Sequence, residues 1–286
     1  MPSIKVIKRR MTSVGTTKKI IRAMGMVAAS KLQRERPRLI AARSYFGEAT
    51  KMIDDLRRSE DAREHAFFTR RAVQNTAYVV ITSDRGLCGS YNVNLITKTL
   101  AHMKGKKDEK IIAIGFKGYE QLKRRNKNIL LRYVDVLDTG FHKDAERIAG
   151  YLSSLYASGE IDEAYVAFTK FETALSHRPS IEKVLPIGLE KPVYVGGMQY
   201  EKSAHFYADH AIPLYLGAFI YAALHESIAC EQAARMISTD TSTHNAADII
   251  QKLTRVYNRR RQASITQEIS EIVSSASMLK DTKHYQ

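Results

Sequence analysis

The chain has 286 residues, 44% hydrophobic and 26% charged, a composition typical of a folded protein and not of a disordered one. Its two cysteines, Cys88 and Cys230, are far apart, which argues against a disulfide scaffold or a cysteine metal cluster and favours a reducing, cytoplasmic setting. We identify no apolar run long enough to predict a membrane span, and we expect no secretion or import signal at the N-terminus.

The formal net charge of +15 is concentrated at the two ends of the chain. Residues 1–38 hold eleven Lys and Arg against one acid, and residues 251–286 hold seven against three. Clustered cations repel one another, so this pattern favours contact with an acidic partner over a merely solvated face. The partner is either nucleic acid or a protein with acidic surfaces. The basic ends lack the interleaved aromatic side chains that stack on bases, which counts against nucleic acid.

The first predicted element is a helix over residues 1–60. Apolar side chains recur at helical spacing up to Gly15, resume after it, and continue beyond Pro37, a potential kink. The positions predicted to form this stripe are Ile4, Ile7, Met11 and Val14, then Ile20, Met24, Val27 and Lys31, then Ala41, Tyr45, Ala49, Met52 and Leu56.

Residues 74–195 predict a small α/β domain, a Rossmann-like sheet inserted between two long terminal helices. Short β-branched runs alternate with helical stretches, a pattern typical of buried parallel strands. The predicted strands are Ala77–Asp84, Lys110–Phe116, Glu163–Phe171 and an edge strand, Ser180–Leu189, ended by Pro186; the predicted helices are Val93–Met103, Tyr119–Arg125 and Lys143–Tyr156.

The loop "TSDRGLCGSYN" directly follows the first predicted strand, where α/β folds bind phosphates. It lacks the third glycine of a dinucleotide fingerprint and the Gly-Lys-Ser/Thr of a P-loop. A nucleotide-dependent enzyme is therefore a weaker interpretation than a tight turn that docks onto a neighbour through Asp84, Arg85, Gly86 and Gly89. Cys88 has no nearby histidine to activate it, and no histidines stand at metal-ligand spacing with a supporting acid. We predict no catalytic residue, cofactor or metal.

The last predicted element is a very long helix over residues 210–286. From Ala218 onward the sequence has neither Gly nor Pro, which predicts a continuous helix of order 100 Å at 1.5 Å per residue. Its weakest stretch is predicted at Ser238–Thr243, because these residues are poor helix formers. The predicted seam runs through Ile220, Leu224, Ile228, Ala246, Ile249, Leu253 and Val256 and ends with Ile265, Ile269, Ile272, Ala276 and Leu279. Pairing the seams of the first and last helices predicts an antiparallel coiled coil.

Three blocks of the sequence resemble the gamma subunit of rotary ATP synthases. They are "IKRRMTSVGTTKKIIRAMGMVAASKLQ" at the start, "ITSDRGLCGSYN" after the first strand, and the end segment that contains "NRRRQASITQEISEIVSSASML". They cover both terminal helices and the first strand, in the order found in that family. The family's signature usually has Gly-Ala where this chain has Ser275-Ala276.

The resemblance implies a non-catalytic rotor shaft. In that family, the terminal helices turn inside a ring of three alpha and three beta subunits, whose beta subunits carry the catalytic sites. The α/β domain, with the epsilon subunit, grips the membrane ring of c subunits, so that ion flow turns the shaft. The resemblance implies one copy per complex, no nucleic acid, and a peripheral position on the cytoplasmic face of the bacterial plasma membrane, held there only through the complex.

The resemblance also implies which residues meet the alpha/beta ring. Near the C-terminus, Arg261, Gln262 and Thr266 are expected to face loops of the ring. The remaining expected contacts are Arg22, Met24 and Met26 at the beta lever region, Arg235 near a beta contact, and Arg259, Arg260 and Glu268 beside the C-terminal group.

Overall fold

The computed structural model describes residues 3–57, 65–106, 108–134, 141–188 and 204–282, without the side chains of residues 141, 204–205 and 275–282. Within these residues, two long helices precede and follow, in chain order, a five-stranded sheet and three shorter helices. The elements are α1 (Ile4–Leu56), β1 (Asn75–Ile81), α2 (Tyr91–Met103), β2 (Asp108–Ile114), α3 (Phe116–Lys123), β3 (Ile129–Tyr133), α4 (Phe141–Ala157), β4 (Glu163–Phe171), β5 (His177–Leu185) and α5 (Ala204–Thr282).

The sheet has the strand order β3-β2-β1-β4-β5, as a Rossmann-like α/β domain requires. The first four strands are parallel, and β5 runs antiparallel to β4 at one edge. The predicted fold class is therefore confirmed. The sequence interpretation missed β3, whose five residues are too short to show a pattern. It placed the start of β5 three residues late, whereas the predicted end at Pro186 agrees with the observed end at Leu185; Leu189, the last residue of the quoted stretch, lies outside the described residues.

The chain divides into two compact units. The helical unit consists of residues 1–26 and 239–286, and the sheet unit consists of residues 27–238. Both α1 and α5 contribute residues to both units. This division differs from the predicted domain boundaries at residues 60, 74, 195 and 210, because it falls inside the two long helices. The predicted boundaries stay predictions.

Alternating side chains of the sheet pack on helices at both faces. On one face, Tyr78 and Val80 of β1 pack with Leu95 of α2 and Leu122 of α3. On the other face, Val79, Ile112 and Val166 join a larger cluster with side chains of α4, α1 and α5, such as Ile148, Ile53 and Leu216. Each such buried aliphatic side chain stabilises the fold by about 1.5–3 kcal/mol.

The covered positions of α1, meaning those that are buried or half-buried, keep the same 3-4 spacing before and after Gly15. This corrects the predicted stripe. In the helical unit this spacing joins Ile4, Ile7, Met11, Val14, Lys18, Ile21 and Gly25, and the adjacent Gly15 and Met24 are half-buried as well. The predicted resumption at Ile20 is wrong, since Ile20 is exposed. In the sheet unit the same 3-4 spacing continues through Ala28, Leu32, Glu35, Leu39, Ala42, Phe46, Ala49, Ile53 and Leu56, so Pro37 does not break the period and Val27, Lys31, Ala41 and Tyr45 are exposed.

The covered positions of α5 in the helical unit form a matching stripe. They include Thr239, Thr243, Ala246, Ile250, Leu253, Tyr257, Arg260 and Ser264, again at 4-3 spacing. Gly25 of α1 lies against Thr239, because a Cβ built on Gly25 would be 2.7 Å from Thr239 Oγ1. From that contact, an antiparallel arrangement places residues 4–25 of α1 along α5 from residue 239 to about residue 260, whereas a parallel one would place those same residues along α5 before residue 239. The helices of this unit therefore form the predicted antiparallel coiled coil.

The predicted seam at the end of α5 is exposed. Ile265, Ile269 and Ile272 are 46%, 55% and 69% exposed, and the predicted seam residues Ile249 and Val256 are exposed as well. The physical reason is length: α1 begins at Ile4, so its antiparallel coverage of α5 runs out near residue 260. The side chains of Ala276 and Leu279 lie outside the described residues.

Helix α5 begins at Ala204, earlier than the Gly- and Pro-free stretch suggests, and includes Pro213 and Gly217. It also stays helical through the predicted weak stretch Ser238–Thr243. By composition α5 contains an 18-residue window apolar enough to cross a membrane, so the expectation that no such run exists is wrong. Of that window, 78% is buried within the protein, as in the core helix of a folded domain.

Candidate partner-binding surfaces

The helical unit carries a strong positive charge. Its residues, 1–26 and 239–286, hold fourteen Lys and Arg against five Asp and Glu. Most of these cations lie on the exposed sides of the two helices, because the covered stripes are largely apolar or small. The surface that the helical unit offers to a partner is therefore basic.

The run Arg259, Arg260 and Arg261 does not act as a single exposed group. Arg259 and Arg261 are exposed, whereas Arg260 is half-buried at a covered stripe position. A helix turns 100° per residue, so consecutive side chains must point in different directions. The two outer arginines are thus the better candidates for contact with a partner.

The expected contacts that follow this run are exposed and bonded only to their own helix. Thr266 Oγ1 donates to the Gln262 carbonyl at 2.9 Å, and Ser264 Oγ donates to Glu268 Oε1 at 3.1 Å. Gln262, Thr266 and Glu268 lie among the exposed isoleucines at the end of α5. This end of α5 therefore combines an apolar surface with polar groups and cations.

The second group of expected contacts, on α1, is less uniform. Arg22 is exposed and Met24 is half-buried. Met26 is 62% exposed, and Ile20, which the sequence interpretation assigned to the seam, is 57% exposed. A large apolar side chain in water is a common sign of a binding surface when several occur together. The α1 surface of the helical unit thus adds apolar contact area to the basic one.

The loop between β1 and α2 is fixed by hydrogen bonds on its buried side and is exposed at its tip. The Phe116 backbone N–H donates to the Asp84 carboxylate at 2.8 Å, and the Ser83 N–H donates to Asn92 Oδ1 at 3.0 Å. Leu87 and Gly89 have left-handed backbones, with φ of 63° and 56°. A leucine in that conformation is uncommon, and its side chain is exposed here. The sequence interpretation named the glycines but missed Leu87.

The exposed part of this loop carries three of the four predicted contacts. Arg85, Gly86 and Gly89 are exposed, whereas Asp84 is half-buried and committed to capping α3. Because its inner side is fixed by hydrogen bonds, the loop presents Arg85 and Leu87 in a defined geometry.

Arg235, which the resemblance places near a beta contact, packs against the β1–α2 loop within this chain. It is buried, lies 2.6 Å from Glu231, and donates to the carbonyls of Arg85 and Gly86 at 3.3–3.4 Å. Burial raises the pKa of the Glu231 carboxyl, and the neighbouring Arg235 charge opposes that rise. Within this chain, Arg235 thus holds the β1–α2 loop, so any effect on a partner would pass through that loop.

Neither cysteine has the surroundings of a nucleophile. Burial raises the pKa of the Cys88 thiol, and burial also raises the pKa of Cys230. A catalytic cysteine needs a lowered pKa and access to solvent. Among the residues that the structure describes, no group of three His, Cys, Asp or Glu side chains could hold a metal ion.

Two polar side-chain pairs join α1 to α5 in the sheet unit, and the sequence interpretation missed them. Glu35 contacts His225, and both side chains are buried. Arg43 contacts Glu226, and hydrogen bonding to that carboxylate raises the pKa of Arg43. The only sequence signal for these pairs is a charged residue at a seam position, such as Glu35.

Comparison with known proteins identifies relatives over nearly the whole chain. A family model described as ATP synthase matches residues 3–279. The ATP synthase gamma chain of Alkaliphilus metalliredigens is 39% identical over 96% of this chain and 98% of the relative. The ATP synthase gamma chain of Heliobacterium modesticaldum is 37% identical over 98% of this chain and 100% of the relative.

Solved structures share the fold. A chain of the Euglena gracilis mitochondrial ATP synthase, solved with OSCP, F1 and the c-ring, aligns with a TM-score of 0.73 at 17% identity, over 98% of this chain and 95% of that one. A chain from the central stalk and c-ring of the Tetrahymena thermophila mitochondrial ATP synthase aligns with a TM-score of 0.64 at 25% identity, over 78% and 98%.

Proposed function

The chain belongs to the ATP synthase gamma-chain family, and from this we propose that it is the central rotor shaft of an ATP synthase, coupling ion flow across a membrane to ATP synthesis or hydrolysis. It is a non-catalytic subunit of a membrane-associated complex. The observation that carries the proposal is the match over nearly the full length of gamma-chain relatives, which includes both terminal helices and the inserted sheet.

The coiled coil of the helical unit suits a shaft mechanically. In the helical unit, α1 and α5 have unbroken helical backbones, and each helix is held by the stripe of the other. A helix bends sharply only at defects such as proline, and the α5 segment of this unit has neither Pro nor Gly. Such a pair resists bending and twisting more than a single helix does.

The partners we propose are three alpha and three beta subunits around the shaft, with one copy of this chain per complex. The catalytic sites belong to the beta subunits. The epsilon subunit and the ring of c subunits bind the α/β domain, and the complex lies on the cytoplasmic face of a bacterial plasma membrane. No nucleic acid and no cofactor has a role in this proposal.

The exposed end of α5 supports an enclosing partner. A single helix that leaves several isoleucines in water is poorly soluble unless other chains cover it. We propose that Arg259, Arg261, Gln262, Thr266 and Glu268, together with Ile265 and Ile269, face the inside of the alpha/beta ring. Partly exposed ion pairs are worth about 1 kcal/mol or less each, so basic contacts of this kind hold a rotor without locking it.

Purification of the tagged chain from its native cells tests this proposal. We expect an intact complex with one copy of this chain and three copies each of two larger subunits, active in ATP hydrolysis. A bead fixed to the chain should then rotate in one direction when ATP is added. Recovery of the chain without such a ring, or with nucleic acid, would overturn the proposal.

A further inference from the structure

Residues 225–235 of α5 are held by directional polar contacts from four parts of the sheet unit. From α1 come Glu35 and Arg43, which contact His225 and Glu226. The remaining contacts come from α2, β4 and the β1–α2 loop: the Tyr91 O–H donates to the Ser227 carbonyl at 3.1 Å, the Cys230 S–H donates to the Thr169 carbonyl at 3.3 Å, and Arg235 donates to the carbonyls of Arg85 and Gly86.

The most extensive of these contacts joins α1, β4 and α5 at one point. Arg43 Nε donates to Glu226 Oε1 at 2.7 Å, and Arg43 Nη2 donates to Glu226 Oε2 at 3.0 Å. The same Nη2 donates to the Phe171 carbonyl at 2.6 Å, while the Phe171 N–H donates to Glu226 Oε2 at 2.6 Å. The last residue of β4 is thereby tied to both long helices through its own backbone.

These bonds add an angular restraint to the steric one that close packing provides. The hydrophobic effect itself is non-directional, so it sets no preferred angle between α5 and the sheet. A hydrogen bond weakens steeply as its angle departs from linear, and a bidentate Arg–carboxylate pair fixes two such angles at once. Rotation of α5 relative to the sheet would break several of these bonds together.

We propose that Arg43, Glu226 and the Phe171 backbone form a torsional clamp, which prevents α5 from turning against the α/β domain and so passes rotation between them. This inference rests on the proposed function as a rotor shaft and adds positioning residues to it. Within the clamp, Glu226 is buried and the Arg43 side chain is 46% exposed, and the contacts that join them to Phe171 lie within the sheet unit.

The test uses the assembled enzyme in inverted membrane vesicles, with the Arg43→Gln and Glu226→Gln variants. The readout is the membrane potential generated per ATP hydrolysed, followed with a potential-sensitive dye. We expect ATP hydrolysis to continue and the ratio to fall by about twofold or more, because a charge-assisted bidentate bond is lost. Lys51→Gln is the matched control, since Lys51 pairs with Glu48 on the same helix at 2.7 Å but both side chains are exposed.

A second measurement separates torsion from stability. The elastic twist of single rotors, recorded with a bead on the α/β domain and the ring fixed to a surface, should increase in Arg43→Gln and remain at the wild-type value in Lys51→Gln. If Arg43→Gln does not assemble, Arg43→Lys keeps the charge but loses the bidentate geometry, and it should raise the elastic twist without a change in unfolding temperature.

A wild-type pumping ratio together with a wild-type elastic twist in the Arg43 variants would overturn the clamp. That outcome is distinguishable from failure of the proposed function, in which the wild-type chain itself would neither assemble with an ATPase ring nor rotate. A lower unfolding temperature with unchanged pumping ratio and twist would assign Arg43 a purely stabilising role and would equally overturn the proposal.

Discussion

At the residue scale, Glu163 is a buried carboxylate surrounded by donors. It contacts Lys106, lies 3.1 Å from Lys183 Nζ, and accepts from the hydroxyls of Thr76 and Tyr165 at 3.1 Å each. We expect Glu163→Gln to lower the free energy of unfolding at pH 7 by about 1–3 kcal/mol, because two ammonium groups lose their counter-charge. Urea unfolding measures this, and Glu160→Gln, at an exposed carboxylate 3.6 Å from Lys110, should change it little.

The same carboxylate predicts a pH dependence with a defined sign. Burial favours its neutral form, but the hydrogen bonds from Lys106 and Lys183 outweigh burial and lower the pKa of Glu163 from 4.5 to about 2. A pKa that is lower in the folded state gives stability that is present above pH 4.5 and is lost as the pH falls towards 2. The difference in unfolding free energy between wild type and Glu163→Gln should therefore shrink across this range. A constant difference from pH 7 to pH 2 would contradict this assignment.

Gly25 gives a second prediction for a single residue. A Cβ at this position would lie 2.7 Å from Thr239 Oγ1, whereas a Cβ at Gly15 would meet nothing within 4 Å. Gly15→Ala should stabilise the helix by about 1 kcal/mol through higher propensity. Gly25→Ala should lose that gain and cost about 1–3 kcal/mol through overpacking. Thermal unfolding followed by circular dichroism compares them, and adding Thr239→Ala to Gly25→Ala should restore the gain; equal effects at both glycines would rule out the close approach.

The roles of some single residues could be predicted from the sequence, and those of others could not. The β1–α2 loop was correctly located because its glycines follow an apolar strand. The role of Arg235 was not foreseeable, since its partners at Arg85 and Gly86 are about 150 positions away and are backbone carbonyls. Backbone acceptors exist at every residue, so the sequence carries no signal for such a bond.

At the element scale, the terminal helices could be predicted but their buried faces could not. The helical period was clear in both, yet the covered stripe includes Lys18, Gly25, Thr239 and Arg260, which do not look like seam residues. Small residues there allow close approach, and long cations cover apolar surface with their methylene groups. The more hydrophobic isoleucines were assigned to the seam for two reasons: Ile20 lies one position from the true stripe at Ile21, and composition alone does not show that the partner helix ends before Ile269.

This difference gives a paired prediction for α5. Ile250 lies in the covered stripe, whereas Ile269 is exposed beyond the reach of α1. Ile250→Ala should lower the free energy of unfolding of the isolated chain, by less than the roughly 2–5 kcal/mol of a fully buried site, because Ile250 is only half-buried. Ile269→Ala should leave that stability nearly unchanged and should weaken recovery of the complex instead. Unfolding and co-purification are measured on both variants. Loss of stability in Ile269→Ala, with little change in Ile250→Ala, would contradict the observed stripe and favour the predicted seam.

Helix α5 begins six residues before the predicted start at residue 210, and it continues through Pro213. A proline inside a helix usually costs about 3 kcal/mol or more, which makes it a reasonable boundary in a sequence. Here the flanking residues Ala208, Ile212 and Leu216 are buried in the main core of the sheet unit. Burial of several apolar side chains together outweighs the local cost of the proline.

At the scale of the whole molecule, the positive charge of the helical unit has opposite effects on the folding of the isolated chain and on its assembly with a partner. The net charge of +15 includes fourteen Lys and Arg in the helical unit, where the carboxylates that could neutralise them are few. Such a surface lowers the stability of an isolated chain by self-repulsion and favours association with an acidic partner. Added salt should therefore affect the isolated chain and the complex in opposite directions, since it screens repulsion in one and attraction in the other.

The last prediction concerns the two exposed arginines of the C-terminal run. Replacing Arg259 and Arg261 together by glutamine should reduce the yield of the complex or its ATP turnover, by less than about tenfold per residue, since exposed ion pairs are weak. Arg124 and Arg125, also exposed, provide a matched control that removes the same charge from the sheet unit. Their replacement should leave yield and turnover unchanged. Equal losses from both double variants would mean that net charge, not the position of Arg259 and Arg261, governs assembly, and no loss from either would remove these arginines from the interface.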